Sequence, residues 1–141
     1  MMTTGSRGLH VVVPLDRRAD FDEVRDLARR IADLLASRAP DALTTAPRKE
    51  ARGGRLYLDV QRNAYAQTAV APYAVRARPG APVAAPLSWS EAEDRRTHAR
   101  SFTIASMPDR IADDPWRNTF SRPRSARAAS RRLVALEADA R

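Results

Sequence analysis

Residues 9–35 read LHVVVPLDRRADFDEVRDLARRIADLL, a pattern that predicts a strand followed by a helix. The apolar run in 9–15 is typical of a buried strand, and Pro14 would end it because proline has no N–H for the ladder. Asp20 and Glu23 have the spacing of a capping box, which predicts that a helix begins there. Apolar residues then recur at helical spacing and predict one apolar face for that helix. These residues are Phe21, Val24, Leu27, Ala28, Ile31, Leu34 and Leu35.

A second strand is predicted in residues 55–61, RLYLDVQ. Leu56 and Leu58 would point to one side of this strand and Asp59 to the other, because successive side chains alternate. The order strand, helix, strand predicts a crossover unit. Residues 9–15 and 55–61 would then be parallel neighbours in one sheet.

The middle of the chain carries weaker signals. Residues 68–75 are a third strand candidate, whereas residues 76–86 hold three prolines and one glycine and predict an extended loop. Trp89 and Trp116 each follow a loop, and we expect both indole rings to anchor those loops on the core.

Two further helices are predicted toward the C-terminus. Ser88 or Ser90 is placed to cap a short acidic helix in residues 91–95. From Ser125 onward, small and apolar residues recur every three or four positions as far as Ala140, which predicts a terminal helix. Helices mixed with a few short strands indicate an α+β fold.

The composition bounds the function without deciding it. The net charge is +8, and Lys49 is the only lysine, so arginine carries nearly all the positive charge. Arginine binds phosphate bidentately, which suits a nucleic-acid or nucleotide partner, but an arginine-rich chain is also what a GC-rich genome produces. No apolar run approaches the roughly 20 residues of a membrane span, and there is no cysteine for a disulfide or a thiolate zinc site. We expect a cytoplasmic protein with no membrane partner.

A glycine-containing loop, TTGSRG in residues 3–8, precedes the first predicted strand. Its hydroxyl groups, main-chain N–H groups and Arg7 are suited to phosphate oxygens, although a flexible N-terminus is the simpler interpretation. The loop is not a Walker loop, because it lacks the Gly-Lys-Ser/Thr ending and leads into a strand. His10 lies among valines and fits a hydrogen-bonded core histidine as well as a ligand contact.

Asp59 is the most informative single residue, because a carboxylate within a strand is disfavoured and is costly to bury unpaired. It must therefore reach solvent, pair with an arginine or bind a divalent metal ion. Arginines flank the predicted strand and the loop beyond it, as a basic surface or as a cluster for phosphate groups. They are Arg52, Arg55, Arg62, Arg76 and Arg78. Asp20 and Asp22 have metal-ligand spacing, but at a helix start we interpret them as capping residues.

Several blocks, taken in order, resemble the polymerase domain of bacterial DNA ligase D. They are GSRGLHV from Gly5, RGGRLYLDVQRN in 52–63, TAVAPYAVRARPG in 68–80, PLSW in 86–89 and DPW in 114–116. The resemblance implies a primase-like (RRM-like) sheet with packed helices. It also implies nucleotidyl transfer to DNA ends in non-homologous end joining, with Mn²⁺ or Mg²⁺ as the metal. The implied partners are DNA ends, nucleoside triphosphates, Ku and a ligase module.

The same resemblance assigns roles to individual residues. Asp59 would be a catalytic carboxylate and the third metal ligand. Six residues would bind the nucleotide, with the two arginines of the later blocks contacting its phosphates. They are Thr4, Gly5, Arg7, His10, Arg52 and Arg76.

The family's first metal motif, a pair of aspartates one residue apart, has no counterpart in this sequence. We therefore expect residues 1–120 to be the C-terminal part of a primase-polymerase domain truncated at its N-terminus, and residues 121–141 to be an arginine- and alanine-rich helix. Whether the chain is an enzyme stays open at this point. It is either part of a working nucleotidyltransferase completed by a missing N-terminal half, or a non-catalytic nucleotide- or DNA-binding remnant. By itself we expect it to be inactive.

Overall fold

The computed structural model describes residues 1–139, which divide into two units. Unit 1 contains Met1–Pro14 and Ala69–Pro123, and unit 2 contains Leu15–Thr68 and the chain from Arg124 onward. Each unit is therefore assembled from two separate stretches of sequence. Short strands and helices occur in both units, which confirms the α+β class.

The sheet of unit 1 is short. Strands β1 (Met2–Thr3) and β2 (Leu9–His10) pair antiparallel, with Met2 opposite His10 and Thr3 opposite Leu9. Residues 4–8 form the loop between them. The predicted strand in 9–15 is thus confined to its first two residues.

Residues 82–87 form the buried centre of unit 1, although 76–86 were predicted to be an extended loop. The segment hydrogen-bonds to neighbours on both sides: Thr3 N donates to Ala85 O at 2.9 Å, and Ala84 N donates to Ala74 O at 3.0 Å. The prolines at its ends need no acceptor, and each N–H between them has one. Residues 76–86 form isolated bridges but no strand, so the predicted extended loop is confirmed, whereas the burial of 82–87 was not predicted. Its side chains join two clusters, Met2–Ala84–Trp116 and Val83–Ala85–Met107.

Two short helices complete unit 1, α2 (Trp89–Glu93) and α3 (Met107–Ala112). Ser88 caps α2 in a capping box with Glu91, so the first of the two predicted caps is confirmed. Trp116 is buried, as expected. Trp89 was also expected to pack on the core, but this is wrong, because Trp89 is 68% exposed at the start of α2.

In unit 2, helices α1 (Phe21–Arg38) and α4 (Ala126–Ala138) pack together through Leu27, Ala126 and Leu133. The Arg30 guanidinium forms a bidentate ion pair with Glu137, with N–O distances of 2.9 and 2.7 Å. Both predicted helices are confirmed over these ranges, and Ala140 lies outside the described residues. The proposed division at residue 120 stays a prediction.

Strands β3 (Leu43–Thr44) and β4 (Leu56–Tyr57) of unit 2 pair in parallel. The predicted pairing of residues 9–15 with 55–61 is wrong, since β2 pairs with β1 and β4 pairs with β3. The partner of β4 comes from the short segment after α1, which carries no apolar alternation and gave no strand signal. Residues 68–75 are also not a strand; only Val75 forms an isolated bridge, to Val83.

The start of α1 offers a direct test of the capping prediction. Asp20 Oδ1 accepts from Glu23 N at 2.8 Å, and Glu23 Oε2 accepts from Asp20 N at 2.9 Å. Replacing Asp20 with alanine should lower the free energy of unfolding by about 1 kcal/mol, because it leaves first-turn N–H groups without an acceptor. Urea unfolding followed by far-ultraviolet circular dichroism measures this loss. Asp22→Ala is the matched control; equal losses in the two variants would contradict the capping role.

Candidate functional site

The loop between β1 and β2 closes on the Thr4 side chain. The hydroxyl group lies 2.9 Å from Arg7 O and 3.1 Å from Gly8 O, to which it donates, and it accepts from Ser6 N at 3.2 Å. Thr4 itself is buried. Its hydroxyl therefore fixes the shape of the loop, and its proton is committed to main-chain carbonyls.

Gly5 brings the loop against Arg76. Its φ of +62° is left-handed, and a Cβ at this position would lie 2.6 Å from Arg76 Cγ and 3.2 Å from Pro82 O. Only glycine combines this conformation with so close an approach. The aliphatic stem of Arg76 thus packs directly on the loop, so two candidate residues 71 positions apart in sequence lie in contact.

Arg7 is the exposed end of this loop. Within residues 1–139, neither its guanidinium nor its main-chain N–H donates a hydrogen bond. The side chain of Arg100 packs against the same loop, and its Nε donates to Ser6 O at 3.2 Å. Unit 1 therefore presents two arginine side chains and an open N–H group at one loop, an arrangement that can bind anionic oxygens.

His10 is half-buried at the end of β2, opposite Met2. Its position in a strand agrees with the prediction from sequence, and it is part of the two-stranded sheet of unit 1. Val11, which follows it, is exposed instead of buried.

Tyr73 is a further polar group of unit 1. Its hydroxyl donates to Asp114 Oδ1 at 2.6 Å, and the same carboxylate oxygen accepts from Trp116 N at 2.9 Å. Burial, reinforced by the bond to the Asp114 carboxylate, raises the pKa of Tyr73 to about 12. The phenol stays neutral near pH 7 and holds the Asp114 turn in place.

In unit 2, Asp59 lies two residues beyond β4 and is exposed. Its Oδ1 accepts from Gln61 N at 3.0 Å, which fixes the carboxylate at the start of a 3-10 turn, Gln61–Asn63. No ion pair to Asp59 forms among the residues that the structure describes. The sequence left three possibilities open for Asp59. Of these, the structure shows exposure to solvent and not pairing with an arginine.

Arg52 is held by its own unit. Its Nε donates to Ala46 O at 3.2 Å, its Nη2 donates to Pro47 O at 2.7 Å, and its guanidinium lies 4.0 Å from the centre of the Tyr57 ring. These contacts hold the guanidinium over the Tyr57 ring of β4. Part of its hydrogen-bonding capacity is committed there.

A metal site is incomplete in this part of the chain. Among residues 1–139, no three histidine or acidic side chains lie close enough together to hold a metal ion. Asp59 is chemically suited to Mg²⁺ or Mn²⁺, which prefer carboxylate oxygens, but it offers one ligand where several are needed.

The comparisons with known proteins bear on all of these residues at once. A family model described as LigD, primase-polymerase domain, matches residues 1–116. The chain belongs to this family. The resemblance drawn from the sequence blocks is thereby confirmed, and every candidate residue falls within the matched range.

Curated LigD relatives match nearly the whole chain. The multifunctional non-homologous end joining protein LigD of Pseudomonas aeruginosa is 35% identical over 138 residues, which cover 95% of this chain and 16% of that protein. The bifunctional LigD protein of Bacillus subtilis is 33% identical over 130 residues, covering 87% and 21%. The chain thus spans about a fifth or less of these relatives.

A solved LigD structure supports the fold. The polymerase domain of Mycobacterium tuberculosis ligase D, in complex with DNA, superposes with a TM-score of 0.78 and is 31% identical. The match covers 87% of this chain and 43% of that one. The primase-like fold class is therefore confirmed for this LigD-family chain.

The LigD site residues predicted from sequence fall into two groups. Thr4, Gly5, Arg7, His10 and Arg76 lie in unit 1, and the first three of them contact one another or Arg76. Asp59 and Arg52 lie in unit 2; Arg52 precedes β4 in the sequence and Asp59 follows it. Their roles in binding and catalysis stay predictions.

Sequence reasoning missed two residues of unit 1. Arg100 touches the loop of a segment 94 positions away. Arg110 reaches Pro86 O and Glu91 from α3. Neither arginine belongs to a recognisable motif. The sequence around an arginine does not indicate that its side chain will bind a carbonyl group far away in the chain.

Proposed function

We propose that this chain is part of a LigD-type primase-polymerase that adds nucleotides to broken DNA ends during repair by non-homologous end joining. The observation that carries the proposal is the family match over residues 1–116, which includes all seven candidate site residues. Its partners would be DNA ends, nucleoside triphosphates, Ku and a ligase module. If it acts on chromosomal DNA, it would work in the cytoplasm.

Unit 1 would bind the triphosphate. The loop fixed by Thr4 and Gly5 offers the guanidinium and main-chain N–H of Arg7 to phosphate oxygens, and Arg76 lies against the same loop. Paired donors of this kind stabilise the negative charge of a phosphate chain and keep it in one orientation. His10 follows on β2, where it would contact the nucleotide beside the phosphates.

Asp59 would hold a Mn²⁺ or Mg²⁺ ion as one of several carboxylate ligands. When bound, such an ion neutralises negative charge on phosphate oxygens. The described residues form no group of three acidic or histidine ligands, so the missing ligands, including the family's aspartate pair, would come from polypeptide outside these 141 residues. In this proposal the chain alone is inactive, residues 1–120 are one part of the domain, and residues 121–141 form its terminal helix.

A second candidate function is a nucleotide- or DNA-binding module that does not turn over. It is favoured by one observation, namely that no group of three or more acidic or histidine side chains suited to a metal ion forms in the described part of the chain. The two candidates differ in their metal dependence. A binding module held only by arginines would bind ATP equally well with and without Mn²⁺.

The proposed function predicts that Asp59→Ala weakens Mn²⁺-dependent binding of ATP to the purified chain by about tenfold or more, because the ion loses a direct ligand. Isothermal titration with ATP and Mn²⁺, repeated with a chelator, measures this effect. Asp41→Ala is the matched control, since Asp41 is also an exposed aspartate of unit 2. Equal Mn²⁺-dependent binding by wild type and Asp59→Ala would contradict the metal role, and binding unchanged by the chelator would favour the second candidate.

A further inference from the structure

The valines that follow β2 are exposed in a way that their sequence does not explain. Val11 is 70% exposed, Val12 37% and Val13 54%, although LHVVVPL has the composition of a buried strand. β-branched side chains of this kind favour strands because they pack on a pleated, covered surface. Three in succession at the surface therefore mark an apolar patch that lacks its cover.

The main chain of the same segment also lacks partners. The register of the sheet sets Met2 opposite His10, so Val11 comes level with Met1, and Val12 and Val13 continue past the paired part. In the part of the chain that the structure describes, no hydrogen bond involves a main-chain group of Val12 or Val13. A strand with free N–H and C=O groups is a template for another strand.

We propose that Val11–Val13 is the edge at which a further β-strand docks, supplied by polymerase-domain polypeptide outside these 141 residues. The strand would add through main-chain hydrogen bonds and cover the valine side chains with its own apolar residues. The occupant follows from the comparison with the solved polymerase domain: this chain matches only 43% of that domain, at a TM-score of 0.78. A domain of that fold has the additional polypeptide that such an edge requires.

The chemistry of the edge fits an apolar strand better than a charged ligand. There is no charged residue between Arg7 and Asp16, and Pro14 limits the edge to a few residues. A second copy of this chain is the competing occupant, because open edges also pair with one another. The inference deepens the proposed function, since it names the surface where the rest of the polymerase domain would bind, and it rests on that family assignment.

The test is co-expression of this chain, carrying an affinity tag, with the part of the Mycobacterium tuberculosis polymerase domain that it does not match. We expect the two polypeptides to co-purify, and hydrogen exchange at the Val12 and Val13 amides to slow in the complex. The double variant Val11→Lys/Val13→Lys should weaken the complex by about tenfold or more, because charged side chains at a strand edge oppose pairing. Val134→Lys, at an exposed valine of α4, is the matched control and should bind like wild type.

Three outcomes would overturn the inference. One is no complex with either wild type or Val134→Lys, and another is equal binding by the double variant. The third is slowed exchange at Val12 and Val13 that depends on the concentration of this chain alone, which would assign the edge to a second copy. The experiment uses neither nucleotide nor metal, so its failure is distinguishable from a failure of the metal role of Asp59.

Discussion

Arg110→Met should lower the free energy of unfolding of unit 1 by about 3 kcal/mol, because it removes one partner of a mostly buried charge network. The side chain is only 11% exposed. Its Nη1 donates to Glu91 Oε1 at 2.6 Å and its Nη2 to Glu91 Oε2 at 2.9 Å, and its Nε donates to the buried Pro86 carbonyl at 3.0 Å. The guanidinium also lies 4.0 Å from the Phe102 ring centre. Methionine fills much of the space and restores none of these bonds.

Urea unfolding followed by tryptophan fluorescence measures this loss, since Trp116 is buried in the same unit. The matched control is Arg96→Met, which makes the same charge change at an arginine whose side chain is 91% exposed and bonds to Asp94. We expect no measurable loss there. A similar loss in both variants would show that net charge, and not the Arg110 network, sets the effect.

The same ion pair should make stability depend on pH. Its bond to Arg110 lowers the pKa of Glu91 from 4.5 to about 2. A carboxyl whose pKa is lower in the folded state stabilises that state above its unfolded pKa and loses the contribution as pH falls toward the folded value. The difference between wild type and Arg110→Met should therefore shrink between pH 5 and pH 2, by about 1 kcal/mol after discounting for the solvent exposure of Glu91.

Gly5→Ala should destabilise unit 1 by about 2–3 kcal/mol, because it combines a left-handed main chain with overpacking. The new Cβ would meet Arg76 Cγ at 2.6 Å and main-chain atoms of Pro82 and Val83 at 3.2 Å. The arginine stem can move, but the two main-chain atoms belong to the buried centre of the unit. The measurement is again the free energy of unfolding from urea titration.

Gly80→Ala is the matched control for this prediction. Its φ of +82° is also left-handed, but a Cβ there meets nothing within 4 Å. The control should therefore show only the conformational cost, about 1 kcal/mol. If the two variants lose the same amount, the close packing of Arg76 on Gly5 contributes nothing to stability.

Local signals in the sequence predicted the helices well. Asp20 with Glu23, and Ser88 with Glu91, form the capping boxes that their spacing indicates, since capping depends on residues three positions apart. Strand pairing was predicted poorly, because it depends on partners far apart in sequence. The segment containing Val83 forms hydrogen bonds with Thr3, Ala74 and Phe102. The sequence of 82–87 has no periodicity that would predict these partners.

The candidate site was identified by its ordered blocks, and its geometry was not predictable. The GSRG block indicated a phosphate-binding loop, but nothing in it revealed that the Thr4 hydroxyl is committed to main-chain carbonyls. In the same way, the arginines around Asp59 suggested one phosphate cluster. Arg52 and Arg55 instead donate to carbonyls of their own segment, because a guanidinium near a turn finds unsatisfied carbonyls at short range.

The assembly of each unit from two distant stretches has a consequence for how the chain folds. Arg30 meets Glu137 across 107 positions, and Thr3 meets Val83 across 80. Contacts of such high sequence separation require the closure of long loops before they contribute stability, and they slow folding. During synthesis, α4 can cover α1 only after the polypeptide between the two helices has also been made. The apolar face of α1 is therefore uncovered while the intervening polypeptide is translated, which is a period of exposure to chaperones and to aggregation.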